Sequence, residues 1–183
     1  MKEIFLSFRP EYFKPILYGL KMYEYRKRFC DEETKAYLYL SGKKRIVIGV
    51  MELGVPIRLD KTIDDYCNYP DTLKRVKEYV DKRDVCAVPI KSLSLFEKTI
   101  SLEEIRESIP GFMPPQMYYV LDNHENLKKF LRNRNIKSPE IFHKHDKIYY
   151  DNLAKSVKEI MTTEKYKKID AVVSKINDYE EIL

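Results

Sequence analysis

The residues whose types and spacing could do chemistry are concentrated between Lys21 and Arg28, in the stretch Lys-Met-Tyr-Glu-Tyr-Arg-Lys-Arg. Side chains alternate in an extended strand, so Glu24, Arg26 and Arg28 share one face with Met22. A carboxylate two residues before an arginine, on the same face, can hold the guanidinium in place for an anion or for a base edge. Lys21 and the arginines add donors for phosphate groups.

The two tyrosines of this stretch, Tyr23 and Tyr25, fall on the opposite face. Aromatic residues at every second position are typical of a half-buried strand. We therefore expect Tyr23 and Tyr25 to be much more buried than Glu24 and Arg26. The same pattern also fits an exposed strand whose charges are simply solvated.

The elements that must position this stretch precede it. The alternation in residues 4–9 predicts a strand, and Pro10 suits the first turn of a helix that Gly19 ends. Pro15 would remove a backbone hydrogen bond from that helix, so a start nearer Phe13 is a second possibility. Gly49, inside the apolar run Ile46–Leu53, predicts a bulge or a close backbone approach.

Bulk properties limit the class of protein. The chain has 183 residues, 44% of them apolar and 34% charged, which indicates one globular domain or one domain with an extension. No apolar run approaches the ~20 residues that cross a bilayer, so we expect no membrane segment. Three widely spaced cysteines without a C-x-x-C pair favour neither disulfides nor zinc, and we expect a cytoplasmic protein.

Charge and motifs narrow the partners. The net charge is +5, and residues 1–29 and residues 123–147 each contain seven Lys or Arg against three acids, as expected for a polyanion partner or for a solvated surface. His143 and His145 are two positions apart, so they face opposite ways in a strand and diverge on a helix, and we expect solvated linker histidines and not metal ligands. No glycine-rich nucleotide loop or serine-hydrolase motif is present. We expect neither a metal nor a cofactor.

The order of these pieces resembles the ASCH domain, a relative of the PUA-like fold. The resemblance lies in a strand, a short helix ending in G-x-K at Lys21, and a strand reading E-x-R-K-R from Glu24. Residues 36–41, 46–53, 96–106 and 114–121 follow as further ASCH-like pieces. It implies an α+β fold, in which residues 1–122 form a mixed, mostly antiparallel PUA-like β-barrel with short helices. Residues 123–183 would be a C-terminal helical extension.

The resemblance also implies a function. An ASCH-like protein is expected to bind RNA or a nucleotide in a cleft between the first helix and the barrel, with G-x-K and E-x-R at its lip. Our candidate binding residues are the polar groups expected at that lip: Ser7, Arg9, Lys21, Glu24, Arg26, Arg28, Gln116 and Tyr118.

A second hypothesis is a hydrolase acting on RNA or on a modified nucleoside. In the amidohydrolase branch of ASCH-like proteins, a threonine three places after the lysine is the presumed nucleophile. This chain has Glu24 there, and a carboxylate is a poor substitute for a hydroxyl nucleophile in amide cleavage. Lys21 and Glu24 are therefore candidate catalytic residues with Glu24 as general base, or they form a structural ion pair.

The extension supplies the third hypothesis, a protein-interaction module. Helical spacing marks three segments after Asp122, around Leu127, around Ile160 and over residues 169–176, with a linker at residues 135–146. These helices have too few apolar residues for a core of their own, so they should pack on the barrel, pair with a second copy or fold on a partner. We predict that residues 1–122 fold without them. The sequence leaves the oligomeric state open.

Overall fold

The sheet of this protein is mixed and curled into a half-barrel. The computed structural model describes residues 1–176 and residue 182. In that part of the chain the strands run in the order β2-β6-β4-β3-β1-β7, with β5 and β8 also paired to β6. The strands are β1 (Lys2–Phe8), β2 (Tyr23–Arg26), β3 (Thr34–Leu40), β4 (Ile46–Leu53), β5 (Ile57–Arg58), β6 (Cys86–Ser101), β7 (Tyr118–Val120) and β8 (Ile141–Phe142).

Helices connect and cover this sheet. They are α1 (Pro10–Leu17), α2 (Pro70–Asp81), α3 (Leu102–Ser108), α4 (Glu125–Arg132), α5 (Val157–Thr162) and α6 (Glu164–Val173), with short 3-10 turns at Ile63–Tyr66 and Leu121–Asn123. Among the described residues, no helix is both long enough and apolar enough to cross a membrane.

Strands β1 and β3 pair in parallel, so both of them end at the same end of the sheet. Phe8 lies opposite Leu40, so the carboxyl ends of both strands meet there. The other strand pairs in the described residues are antiparallel. Gly49 lies at a register shift between β4 and β6, where an added Cβ would meet the carbonyl oxygen of Ser94 at 2.2 Å. The predicted close backbone approach is therefore confirmed.

Helix α1 begins at Pro10, so the alternative start near Phe13 is wrong. Pro10 needs no hydrogen-bond acceptor at the first helical position. Pro15 is accommodated inside the helix, and its own carbonyl accepts hydrogen bonds from the backbone of Leu20 and Lys21 at 2.9 Å each. Gly19, with φ of +66°, makes the turn that directs the chain into β2.

The burial expected for β2 is wrong for its polar face. Tyr23 is buried as predicted, but Glu24 is also buried, and Tyr25 and Arg26 are both only partly exposed. The polar face is covered because its cations fold over the carboxylate and lie above the ring of Phe8, 5.8 Å from Lys21 Nζ and 5.6 Å from Arg26 Cζ. Charges that neutralise one another can be buried together, whereas single charges cannot.

The extension packs on the barrel, as one of the three alternatives predicted. Its buried side chains join each of the three hydrophobic clusters: Leu127 and Leu131 pack with Phe5 and Tyr37, Ile160 and Tyr166 with Phe13 and Ile16, and Leu153 and Ala154 with Tyr23 and Tyr66. The boundary at residue 122 stays a prediction, and the independent folding of residues 1–122 is untested, although this packing leads us to expect the opposite.

The segment at residues 135–146 is more than the linker that we expected. Ile141 pairs with Leu93 in strand β8, and Ile136 forms an isolated bridge to Phe96. The side chain of Asn135 also donates to Glu97 at 2.9 Å. This segment therefore runs along β6 and joins α4 to the last two helices.

Candidate functional site

Lys21 and Glu24 form a buried ion pair at the start of β2. The turn after α1 places Lys21 three residues before Glu24, and Lys21 Nζ donates to Glu24 Oε2. The two side chains are only 5% and 9% exposed. The backbone N–H of Lys21 donates to the Pro15 carbonyl at 2.9 Å, and Glu24 lies in β2, so both residues of the pair are held by the backbone.

Arg26 approaches the same carboxylate from the other side. Its Nε lies 2.9 Å from Glu24 Oε1, although the N–H does not point at that oxygen well enough for a regular hydrogen bond. Its Nη2 donates to the backbone carbonyl of Ser7 at 3.2 Å. The guanidinium is therefore held at two points, by β2 itself and by the end of β1.

Both oxygens of Glu24 are engaged, one by each cation. Two positive groups around one carboxylate leave a net positive charge in a largely dry environment, where electrostatic interactions are strong. The arrangement suits the binding of an anion more than proton abstraction, because a general base needs a free oxygen directed at its substrate.

A cavity of about 610 Å³ opens beside this cluster, and we call it the β2 cleft. The meeting of parallel strands at one edge places Arg9, after β1, and Ser41, after β3, on its wall. The Oγ of Ser41 donates to the Phe8 carbonyl at 3.0 Å. The residues that line the β2 cleft are Ser7, Phe8, Arg9, Tyr12, Glu24, Tyr25, Arg26, Ser41, Pro115, Gln116 and Met117.

Five of the eight predicted binding residues lie together in this lining: Ser7, Arg9, Glu24, Arg26 and Gln116. The hydroxyl of Ser7 donates to the Pro115 carbonyl at 2.6 Å and so ties β1 to the segment that carries Gln116. Lys21 lies behind Glu24, in a neighbouring side pocket of about 370 Å³.

The remaining two predicted residues lie outside the cleft lining. Arg28 is exposed beyond the end of β2. The ring of Tyr118 packs on Phe29, with centroids 5.5 Å apart, and its hydroxyl lies 3.7 Å from the Cys30 sulfur. Burial, with the hydrogen bond to Cys30, raises the pKa of Tyr118 to about 12.

The side pocket contains titratable groups that the sequence did not indicate. Asp84 and Tyr79 line it together with Lys21 and Glu24. Burial raises the pKa of Asp84, with the negative charge of Glu24 as a further cause, and burial also raises the pKa of Tyr79 well above its ordinary value. No local motif marks Asp84. It follows α2, and only the fold brings this segment next to Glu24 of β2.

The extension braces β2 from its tyrosine face. The side-chain amide of Asn152 donates to the Leu20 carbonyl at 2.7 Å and accepts from the Met22 N–H at 3.0 Å, so it grips the backbone on both sides of Lys21. The backbone N–H groups of Tyr149 and Ala154 donate to the hydroxyls of Tyr23 and Tyr25, at 3.0 and 2.6 Å.

Sequence reasoning missed these braces, since each joins residues more than 120 positions apart. Two missed lining residues did have a signal. Tyr12 is an aromatic residue on the outer side of α1, and Ser41 directly follows a strand at the same edge as Arg9.

Known structures that resemble this chain share one fold. The crystal structure of ASCH from Zymomonas mobilis is 21% identical, with a TM-score of 0.54, and the match covers 73% of this chain and 96% of that one. A tyrosine-to-phenylalanine mutant of the same protein is 19% identical with a TM-score of 0.54, covering 74% and 100%. A serine-to-alanine mutant is 21% identical with the same TM-score, covering 73% and 97%.

No protein-family model matches the sequence, and no curated protein matches it. The structural similarities show that the chain has an ASCH-like α+β fold. The fold expected from the sequence is therefore confirmed, and at this level of identity the similarity concerns the fold alone.

Proposed function

We propose that this protein binds RNA or a nucleotide in the β2 cleft. The observation that carries the proposal is the guanidinium of Arg26, which Glu24 and the Ser7 carbonyl hold in a fixed position on the cleft wall. A guanidinium immobilised before binding loses little conformational entropy when it meets a phosphate or a base edge.

The other lining groups fit the same ligand class. Arg9 is exposed at the cleft wall and adds a second cation for phosphate. Gln116 offers an amide that can both donate to and accept from a base edge. Tyr12 is 41% exposed and can stack on a base, a contact of roughly 1–3 kcal/mol.

The hydrolase hypothesis rests on Lys21 and Glu24, with Asp84 as a further acid in the side pocket. It requires that substrate binding free one Glu24 oxygen from Lys21 or Arg26. Incubation of labelled RNA with the protein separates the two proposals, because a binding protein leaves the RNA intact. Cleavage that Glu24→Gln abolishes would favour the hydrolase.

The interaction-module hypothesis predicts one exposed apolar stripe on the last helices. The predicted stripe is divided: Ile169 and Val173 pack against the core, whereas Val172 and Ile176 are 64% and 41% exposed. Half of this face is therefore used within the protein, and binding in the β2 cleft is the better-supported function.

The experiment is a titration of labelled single-stranded and hairpin RNA, followed by fluorescence anisotropy at several salt concentrations. Arg9→Ala should reduce the slope of log affinity against log salt by roughly 0.7–0.9, the value for one lost phosphate contact. Arg26→Lys keeps the charge but loses the planar fork. It should leave the slope unchanged and weaken binding if Arg26 reads a base edge.

Lys129→Ala is the matched control, because this lysine on α4 is 72% exposed and lies outside the cleft lining. Its affinity at each salt concentration should stay close to that of the parent protein. RNA binding that is unchanged in both arginine variants, or lost only in the lysine variant, would reject the β2 cleft as the site.

A further inference from the structure

A second cavity lies against the turn that leads into β2. Its volume is about 720 Å³, larger than the β2 cleft and within the roughly 300–1,000 Å³ typical of small-molecule sites. Gly19, Leu20 and Met22 form one wall, and residues 147–152 and Lys155 form another. We call it the tail cavity. It shares no lining residue with the β2 cleft.

Three lysines give this cavity a positive wall. Lys147 and Lys155 come from the loop before α5, and Lys165 comes from the first turn of α6. Within residues 1–176 and 182, none of these lysines has a carboxylate partner in an ion pair. Glu164, the acid beside Lys165, is paired with Lys167 at 2.7 Å. Asp151 is the single acid in the lining, so the wall is net positive.

Aromatic rings form another part of the lining. Tyr69 and Tyr150 stack on each other, with centroids 3.8 Å apart and planes at 15°, and Tyr149 lies beside them. Tyr69 is also 42% exposed. Lys147 Nζ lies 5.8 Å from the centroid of the Tyr149 ring. Stacked rings next to ammonium groups that have no carboxylate partner suit a ligand that combines a planar aromatic ring with an anionic group.

The loop that carries these groups is fixed before any ligand arrives. Arg75 Nη2 and Thr72 Oγ1 of α2 donate to the Tyr150 carbonyl at 3.0 and 2.9 Å. Asn152 and Tyr149 make the hydrogen bonds to the β2 region described above. A site that is already ordered does not lose affinity to the ordering of its own loop.

We propose that the tail cavity is a second binding site, separate from the β2 cleft, for a nucleoside monophosphate. The base stacks in the tyrosine-lined part, and the phosphate meets Lys147, Lys155 and Lys165. Neither lysines nor tyrosines alone select this class. Their combination in one preformed cavity does, because it suits a ligand that carries both a planar ring and a phosphate.

The test is a titration of the full chain, labelled at its methionine methyl groups, with each of the four nucleoside 5′-monophosphates. Met22 lines the tail cavity and Met117 lines the β2 cleft, so their signals report the two sites separately. At least one monophosphate should shift Met22 saturably, and this holds whether or not Met117 also shifts, because the β2 cleft is itself proposed to bind RNA or a nucleotide. The corresponding nucleoside and inorganic phosphate should each bind more weakly.

Variants then assign the contacts. Lys147→Ala combined with Lys155→Ala should weaken binding about tenfold or more, because charge-assisted hydrogen bonds are lost. Lys168→Ala is the matched control, since this exposed lysine of α6 lies outside the lining. The Met22 shift in this variant should match that of the parent protein.

Several results would overturn the proposal: no saturable shift of Met22 with any of the four monophosphates, equal affinity in the double lysine variant, or a shift confined to Met117. The last result would leave the proposed function of the β2 cleft intact. Conversely, loss of RNA binding by the cleft would leave the Met22 result standing, so the two proposals fail independently.

Discussion

The β2 cleft and the tail cavity share no lining residue, and their charges are arranged in opposite ways. At the cleft, the half-buried Arg26 is tied to Glu24, as is the buried Lys21 in the adjoining side pocket. In the tail cavity, Lys147, Lys155 and Lys165 have no described carboxylate partner. Cations paired with a carboxylate hold a fixed geometry. Lysines without a carboxylate partner attract an anion but do not fix its direction.

The difference shows how one short strand can serve two surfaces. The polar face of β2 is organised by Lys21, Glu24 and Arg26, which are close in sequence, together with the end of β1. The tyrosine face is organised by the extension, through Asn152 and the backbone of Tyr149 and Ala154. Each face can be disturbed separately, and the four predictions that follow disturb them in decreasing order of effect.

Removal of residues 123–183 should have the largest effect. Five large apolar side chains of the extension are 5% exposed or less: Leu127, Leu131, Leu153, Ile160 and Tyr166. Each contributes roughly 1.5–3 kcal/mol, together comparable with the roughly 5–15 kcal/mol that stabilises a typical domain. The structure thus leads us to expect that residues 1–122 alone show no cooperative melt. A cooperative thermal transition by circular dichroism would instead support the boundary predicted from sequence.

Glu24→Gln should destabilise the protein by roughly 3–5 kcal/mol, since it leaves the buried Lys21 and the half-buried Arg26 without their anion. Chemical denaturation measures this change in the free energy of unfolding. Glu11→Gln, an exposed acid in the first turn of α1, is the control and should change stability little. A small loss in Glu24→Gln would mean that the cluster does not hold the cleft side of β2.

Asn152→Ala should cost roughly 1–3 kcal/mol, because the Leu20 carbonyl and the Met22 N–H both lose their partner. The methyl signal of Met22 should shift more than that of Met117, since the change lies on the tail side. The exposed Asn68→Ala serves as control in the same denaturation series. Equal shifts of both methionines would show that the two sides are not separable.

The smallest expected effect is a dependence on pH, and it concerns the tail side. Burial, together with the neighbouring His145, lowers the pKa of His143 below its ordinary 6.5, and burial also lowers that of His145. A histidine with a depressed folded-state pKa binds its proton more readily when unfolded. Stability should therefore be fully present above about pH 6.5 and fall as the pH drops towards the folded-state pKa.

The measurement is the melting temperature from about pH 7.5 to about pH 5.5, the range in which an ordinary histidine titrates. The Nε2 of His143 is buried without a hydrogen-bond partner in the described part of the chain, so His143→Phe should reduce the fall. A fall of the same size in this variant would assign the pH dependence to other groups.

The sequence determined the elements that depend on nearby residues. Strand β4 runs over Ile46–Leu53 as the apolar run predicted, Gly49 lies at a close backbone approach, and Gly19 ends the turn after α1. Five of the eight proposed binding residues also line one cleft. Alternation, turn chemistry and strand spacing act over a few residues, so a single sequence can reveal them.

Only the tertiary structure decided what covers β2 and what the extension builds. Strand β8 is two residues long, too short for any alternation to mark it, and it exists because β6 offers it a partner. Burial of Glu24 depends on Phe8 and on two cations folding over it, which strand alternation does not describe. The tail cavity joins Gly19, Tyr69 and Lys155, whose proximity follows from the path of the whole chain and from no local preference of the backbone.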